Sequence, residues 1–296
     1  MMDALAGYQS ILDLILLNCG LALSQYVVLR AGVFSVATPA LASVGAYAAG
    51  IAALRLGVGT VTGLLIAAAA GTVMGLLLSL PLARLRGVFQ AIATVALVQI
   101  VLSLALYATD LTGGANGLNG IPKLIGTPGL LLVVAVIVYV LGSLGRSRIG
   151  HAFDAIRQDE TVAVTLGISA VTHQALAFAL SGAIAGLTGG LMAYHNHSVV
   201  PEEFGFNMLV TVLAYVVLGG RRSVLGPLAG ATILTLLPEL ARPLAENRLI
   251  VHGAILMIVI TYLPHGIVDT FLIARRRRMT AAARAQDLNE AANGRA

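Results

Sequence analysis

The residues that do chemistry in enzymes are sparse in this chain and form no recognisable catalytic set. Its single lysine, Lys123, follows no glycine-rich loop, so no Gly-x-x-x-x-Gly-Lys-Ser/Thr stretch is present to bind nucleotide phosphates. One cysteine, Cys19, and the lack of a His-Glu-x-x-His motif argue against a zinc hydrolase. His195 and His197 flank Asn196 without a third metal ligand nearby in the sequence, which favours a polar helix end. We therefore expect no catalytic residues, no metal and no cofactor.

Carboxylates are also rare in the apolar segments. Asp13, Glu239 and Asp269 lie only near the ends of such segments. Ion-coupled transporters usually place an ionisable relay near the middle of the membrane. The pattern therefore disfavours proton or sodium coupling, and it fits a transporter whose ATP is hydrolysed by a partner. A self-sufficient secondary transporter or channel and a membrane enzyme are the alternatives.

A few polar residues do fall well inside apolar segments. Each is a candidate to line a path for a small polar solute. The competing interpretation is an interhelical hydrogen bond, worth about 0.6 kcal/mol in membrane proteins. The candidates for the solute path are Asn18, Gln25, Ser43, Tyr47, Thr94 and Gln99, and Ser181 has the same character.

The composition explains why so little chemistry is available. Of the 296 residues, 58% are hydrophobic and 10% are charged, whereas about 25% are charged in ordinary soluble domains. Most of the surface must therefore face lipid. The 33 glycines indicate close approach between membrane helices, because small residues let their backbones meet.

Windows of about 20 apolar residues predict an all-α integral membrane protein, a polytopic bundle of about nine helices, with eight to ten allowed. We expect residues 1–272 to form one transmembrane domain that includes the 146–173 loop, and residues 273–296 to form a basic cytoplasmic tail. The spans at 207–220 and 224–240 are short and interrupted by Gly or Pro, which suggests broken helices. The predicted spans are 9–29, 32–54, 60–82, 88–109, 129–145, 174–195, 207–220, 224–240 and 249–272.

The distribution of basic residues predicts the orientation. Cytoplasmic loops of membrane proteins are enriched in Lys and Arg. With nine crossings and a cytoplasmic 146–173 loop, 14 of the 18 basic residues lie on the cytoplasmic side, including the Arg275–Arg278 run. The N-terminus is then outside and the C-terminus cytoplasmic.

The polar segment 146–173 is the longest one with internal order. Apolar residues alternate with charged ones between Gly150 and Leu166, which predicts one or two short amphipathic helices ended by Gly167. A protein that only lets a solute diffuse through it has little need of such a loop, whereas docking of a cytoplasmic partner requires one. An ordinary solvated loop is the competing interpretation. Two further ordered loops, 110–128 and 196–206, are predicted on the outer side.

Several stretches together resemble the permeases of bacterial branched-chain amino-acid importers, specifically the M-type subunit. The stretch 111–122, LTGGANGLNGIP, is similar to the family's LTGG-x-NGL-x-GIP segment, and includes Thr112, Gly113, Gly114, Asn116 and Gly117. Three other stretches, at 85–94, 201–205 and 218–230, also resemble segments of the family that occur in the same order. The cytoplasmic coupling motif of the family is matched at Ala155, Ile156, Arg157, Asp159, Glu160, Ala163, Leu166 and Gly167.

The resemblance implies a mechanism and partners. It implies a second, H-type permease, two cytoplasmic ATPase subunits and an external solute-binding protein, in the bacterial cytoplasmic (inner) membrane. The solute would be a branched-chain amino acid or a relative such as another amino acid, an amide or urea. Phe153, Ile156 and Leu166 would be buried in the ATPase groove, with Arg157, Asp159 and Glu160 at its rim.

One stretch departs from the family pattern. The second span of the family usually carries Ser-Leu-Gly-His, whereas this chain has Ser35-Val-Ala-Thr38, although Gly45-Ala-Tyr47 is kept. Since this segment is expected near the solute path, the solute itself stays open at this point.

Overall fold

The computed structural model describes residues 2–122, 125–240 and 253. These residues are mostly helical, as the apolar windows predict. The helices are α1 (Met2–Arg30), α2 (Thr38–Leu56), α3 (Thr60–Leu82), α4 (Val88–Tyr107), α5 (Thr109–Thr112), α6 (Thr127–Arg146), α7 (Arg148–Gln158), α8 (Glu160–Thr165), α9 (Ala170–Asn196), α10 (Phe206–Gly219) and α11 (Leu225–Leu240). Two short strands, β1 (Leu118–Asn119) and β2 (Ser198–Val199), pair antiparallel.

Eight of the nine predicted spans coincide with helices. Within the described residues, six helices are long and apolar enough to cross a membrane: α1, α2, α3, α4, α6 and α9. The helices α10 and α11 are shorter, as the Gly and Pro interruptions predicted. The ninth predicted span, 249–272, and the basic tail, 273–296, lie outside the described residues, so a count of nine is not confirmed.

The second helix begins later than predicted. The sequence suggested a start at residue 32, but α2 begins at Thr38, with Pro39 in its first turn. Proline suits that position because it lacks an N–H and its φ is already helical. The backbone before it, residues 31–37, is non-helical and mostly buried, so its polar groups require partners from neighbouring helices.

Helix α9 lies at the centre of the bundle and packs against α2 and α3 through glycines. A Cβ on Gly186 would overlap the carbonyl oxygen of Ala67, and one on Gly182 would overlap that of Gly71. A Cβ on Gly189 would likewise overlap Ala42. Such backbone contact is the usual way for membrane helices to gain close association without a hydrophobic driving force. Most residues of α1, α2 and α9 are therefore buried, whereas α3, α4 and α6 are largely exposed.

Candidate functional site

Two short helices, α7 and α8, form a compact unit at one end of the bundle. Ser147 caps α7, because its hydroxyl accepts a hydrogen bond from the backbone N–H of Gly150. Asp159 separates the two helices and caps α8 through the backbone N–H groups of Thr161 and Val162, at 2.8 and 3.1 Å. These caps place a defined turn between the helices.

Gly167 ends α8 in a Schellman motif. Its φ is +83°, and its N–H donates to the carbonyl of Val164 at 3.0 Å. The next N–H, of Ile168, reaches back to the carbonyl of Ala163 at 3.0 Å. This is the pair of hydrogen bonds that defines the motif. The sequence predicted one or two short helices ended by this glycine, and the structure has two.

Two ion pairs and one hydrogen bond connect α7 and α8 to three other parts of the chain. Arg30, the last residue of α1, lies 3.0 Å from Asp154 on α7, and Arg157 lies 3.4 Å from the same carboxylate. Arg86, just before α4, lies 3.0 Å from Glu160 on α8. Arg157 also donates to the carbonyl of Arg221, in the turn between α10 and α11, at 3.4 Å. A displacement of α7 and α8 would therefore be transmitted through these contacts to α1, α4 and the turn between α10 and α11.

Arg157 lies in a crowded position. The Cβ of an alanine at Gly32 would be 3.1 Å from its Cα, so the turn after α1 lies directly against α7. Partial burial lowers the pKa of Arg157, while the neighbouring carboxylate of Asp154 opposes that shift. The guanidinium stays charged at physiological pH because an arginine pKa is far above that range.

The structure corrects the predicted anchors for a partner. Phe153 and Ile156 are only 1% and 4% exposed, because the apolar face of α7 packs on this chain's own helices. The ring of Phe153 also meets that of His173 edge to face, 6.2 Å apart. These two side chains therefore hold the unit in place and are not available to a partner. Ala163 is buried as well, whereas Leu166 is 73% exposed.

The sequence analysis missed two exposed side chains next to Leu166. Val162 and Val164 are 53% and 54% exposed on α8. Apolar side chains in a polar loop are a sequence signal for a binding surface. However, α8 is too short for periodicity to show which of its residues are exposed. Together these three residues are the only clearly exposed large aliphatic side chains between residues 147 and 170 of the described chain; they are called the α8 apolar cluster below.

Two of the predicted solute-path residues, Gln25 and Thr94, make hydrogen bonds to the segment before α2. Gln25 donates to the carbonyl of Ser35 at 2.5 Å and accepts from the hydroxyl of Thr38 at 2.7 Å. Thr94 accepts from the N–H of Val36 at 3.1 Å. Both side chains thus satisfy the buried non-helical backbone before α2.

The remaining path candidates fall into three environments. Asn18 donates to Thr235 on α11 at 3.0 Å, an interhelical hydrogen bond. Ser43 and Tyr47 are buried on α2, and the Tyr47 hydroxyl has no hydrogen-bond partner among the described residues. Gln99 is exposed on α4. The structure does not gather these side chains into one site.

The predicted outer loop is ordered by glycines at the opposite end of α4. Gly113, Gly114 and Gly117 all have positive φ, a region that favours glycine. The Thr112 hydroxyl donates to the carbonyl of Ala105 at 2.6 Å, which fastens the loop to α4. Asn116 accepts from the side chain of a nearby asparagine through its carbonyl. Strands β1 and β2 then join this loop to the second predicted outer loop.

The two histidines at the end of α9 have different partners. His195 lies 3.8 Å from Asp13, a contact between α9 and α1 that sequence spacing could not reveal. His197 contacts the carbonyl of Ile121 through a ring nitrogen at 3.2 Å. Within the described residues, no group of three or more His, Cys, Asp or Glu side chains is placed to hold a metal ion.

A sequence profile of the family described as branched-chain amino acid transport system / permease component matches residues 10–260. This chain belongs to that family. One similar protein is the high-affinity branched-chain amino acid transport system permease protein LivM of Escherichia coli. The two sequences are 32% identical over 285 residues, and this alignment covers 85% of the chain. The chain is also 31% identical over 123 residues to the permease protein LivH of the same organism, over 41% of the chain and 40% of that relative.

The relatives are matched over only part of their own length. A probable LivH permease of Methanocaldococcus jannaschii is 31% identical over 117 residues, which is 38% of the chain and 36% of that relative. The chain spans 65% of the length of the LivM proteins that it matches. No solved structure is significantly similar to it.

Proposed function

We propose that this chain is the membrane permease subunit of an ATP-binding-cassette importer. It carries branched-chain amino acids, or a related small polar solute such as another amino acid, an amide or urea, into the cytoplasm. Partner subunits hydrolyse the ATP, and the permease has no enzymatic reaction of its own. Membership of the permease family and the similarity to LivM over most of the chain support this assignment.

The α8 apolar cluster is the observation that carries the proposal. Val162, Val164 and Leu166 are exposed on and just after a capped helix of which only Ala163 is buried. A few residues usually carry most of the binding energy between proteins, and grouped exposed apolar side chains mark interaction surfaces, so this cluster suits insertion into a groove on a cytoplasmic ATPase. Since Arg157 and Glu160 are engaged in ion pairs within the chain, we assign them to transmission of the movement.

The arginines at this end of the bundle support the proposed orientation, and the family supports the proposed partners. Arg30, Arg86, Arg157 and Arg221 all lie around α7 and α8, and basic residues favour the cytoplasmic side. We therefore place this end, the C-terminus and the basic tail 273–296 in the cytoplasm, and residues 1–272 in the inner membrane as one permease domain. The partners are a second H-type permease, two ATPases and an external binding protein.

The test is co-purification of the tagged chain with an ATPase of this importer class, and Leu166→Asp is the decisive variant. A carboxylate in place of Leu166, the most exposed residue of the cluster, should remove most of the bound ATPase, because an unpaired charge is costly to desolvate. His151→Asp, at an exposed position on α7, is the matched control and should retain it. Equal recovery of ATPase with both variants would contradict the proposed docking.

Uptake measurements separate the proposed function from the channel or secondary transporter alternative. Radiolabelled leucine and urea are followed in cells with and without the chain, before and after depletion of ATP. The proposal expects uptake of a solute that requires the chain and ATP and is lost in Leu166→Asp. Uptake that depends on the chain but continues without ATP would favour the alternative.

A further inference from the structure

The turn between α3 and α4 combines exposed apolar side chains with two exposed arginines. Leu80, Val88 and Phe89 are 69%, 71% and 70% exposed. Arg84 and Arg86 lie between them in the chain, and both are exposed as well. Because apolar side chains of membrane helices lie in the lipid, whereas arginine heads stay at its polar boundary, this turn lies where the hydrocarbon layer meets the headgroups.

The two guanidinium groups of the turn are available to an anion. Among the described residues, Arg84 has no ion pair or hydrogen bond through its side chain. Arg86 pairs with Glu160 on α8 at 3.0 Å, yet its side chain remains 75% exposed. Ion pairs between exposed side chains contribute little net free energy, so this pair leaves donors of Arg86 free to bind elsewhere. The space beside the turn is also open, since a Cβ on Gly87 would meet nothing within 4 Å.

Arg146, at the end of α6, provides a comparison on the same side of the bundle. It is exposed, as Arg84 is. The large apolar residues nearest to it in the chain, Leu144 and Ile149, pack against this chain's own core. Arg146 therefore has the charge of the α3–α4 turn without the exposed apolar side chains.

We propose that the α3–α4 turn binds the phosphate group of an anionic phospholipid through Arg84 and Arg86. A guanidinium forms paired hydrogen bonds with phosphate oxygens. The acyl chains of the same lipid would lie against Leu80, Val88 and Phe89. A soluble phosphate would engage the arginines and leave these apolar side chains uncovered, whereas a lipid engages both. The ammonium group of a zwitterionic lipid would be repelled by the two arginines, which favours an anionic headgroup.

Arg86 connects this lipid site to α8. It can be held by Glu160, the first residue of α8, or by a lipid phosphate. An increase in anionic lipid would therefore draw Arg86 away from Glu160 and loosen the contact between α4 and α8. Because α8 carries the α8 apolar cluster, ATP hydrolysis by the complete importer should respond to the lipid composition. This last consequence rests on the proposed function, whereas the lipid site does not.

Tryptophan fluorescence tests the site, because the chain has no tryptophan of its own. Val88→Trp places a reporter at the turn, and Ser143→Trp, at an exposed position near Arg146, is the matched control. The full chain, with the subunits that co-purify with it, is reconstituted in vesicles of phosphatidylcholine and phosphatidylglycerol. The acyl chains of one lipid or the other carry bromine, which quenches tryptophan only at short range, so unequal quenching reports which lipid lies beside the turn.

The expected result is a preference for the anionic lipid at the turn. Brominated phosphatidylglycerol should quench Val88→Trp several-fold more than the same fraction of brominated phosphatidylcholine, whereas the two should quench Ser143→Trp alike. Arg84→Gln should remove most of the preference, Arg84→Lys should retain part of it, and Arg146→Gln should retain all of it. The melting temperature of Arg84→Gln should be unchanged, because the structure shows no partner for this side chain among the described residues.

Four results would overturn the proposal. Equal quenching of Val88→Trp by the two lipids would show no selective binding, and an equal preference at Ser143→Trp would show only a diffuse attraction to basic residues. No quenching by either lipid would show that another protein covers the turn. Loss of the preference in inorganic phosphate, but not in chloride of the same ionic strength, would assign the arginines to a soluble anion.

The connection to α8 has a separate readout. ATP hydrolysis by the importer should change with the fraction of phosphatidylglycerol, and Arg84→Gln should reduce this response. A response that is unchanged in Arg84→Gln would contradict the connection. The proposed function would fail in a different way, by an absence of ATPase in the co-purification and of ATP-dependent uptake, whatever lipid lies beside Val88→Trp.

Discussion

Arg30, at the end of α1, holds the carboxylate of Asp154 on α7 by two contacts. Its Nη2 lies 3.0 Å from Oδ2, and its Nε lies 3.3 Å from Oδ1. The arginine side chain is 12% exposed, and it also donates to the Tyr26 hydroxyl and the Gly145 carbonyl. Such paired contacts fix direction as well as distance, so α7 is oriented by α1.

Loss of this pair should destabilise the protein and weaken coupling. We expect Asp154→Asn to lower the free energy of unfolding by about 1–3 kcal/mol, since a partly buried arginine loses its main charge partner. The thermal melt in detergent and the ratio of solute transported to ATP hydrolysed are the measurements. The swap Arg30→Asp with Asp154→Arg should recover part of both; a double variant no better than the single ones would contradict the assignment.

The contact between α3 and α9 predicts a strict size limit at Gly71. A Cβ there would overlap the carbonyl oxygen of Gly182, and neither backbone can retreat without separating the helices. We expect Gly71→Ala to cost about 1–3 kcal/mol and to lower the melting temperature in a detergent stability assay. Gly142→Ala on α6 is the control, because a Cβ there meets nothing within 4 Å. Matching melting temperatures for the two variants would disprove this account of the contact.

Substitution of Gly167 should act only through the backbone conformation. An added Cβ meets nothing within 4 Å, but its φ of +83° is strained for other residues. Gly167→Val should therefore loosen the end of α8 at a cost of about 1–2 kcal/mol and reduce solute-stimulated ATP hydrolysis. Gly167→Asn should be milder, because asparagine tolerates this conformation better. If both variants hydrolyse ATP equally well, the turn does not control the position of α8.

Glu203, in the turn before α10, predicts a pH dependence of stability. Partial burial raises the pKa of its carboxyl group in the folded protein. The folded state then binds the proton more tightly than the unfolded state, so this residue lowers stability as pH rises through the window above about 4.3, the usual glutamate value. Glu203→Gln should raise the melting temperature at pH 7 and leave it nearly unchanged at pH 4. An equal shift at both values would contradict this.

The sequence by itself determined the class of the protein and the position of most helices. Charge scarcity and apolar windows require lipid as the solvent, and lipid requires helices whose backbone bonds are internal. The end of α8 at Gly167 was also predicted, because a glycine cap acts within a few residues of chain. The same local logic identified the short helices α10 and α11 and the glycine-rich outer loop.

Only the tertiary structure decided which side of each element faces a neighbour. Phe153 and Ile156 are residue types that could anchor a partner, yet they are buried within this chain. The exposed apolar side chains of this region are those of the α8 apolar cluster. Gln25 and Gln99 are both glutamines in apolar spans, but one satisfies a buried backbone and the other lies open on α4. The physical reason is that hydrogen bonds and burial join residues far apart in the chain, such as Arg30 and Asp154, whereas propensity and spacing report only on neighbours.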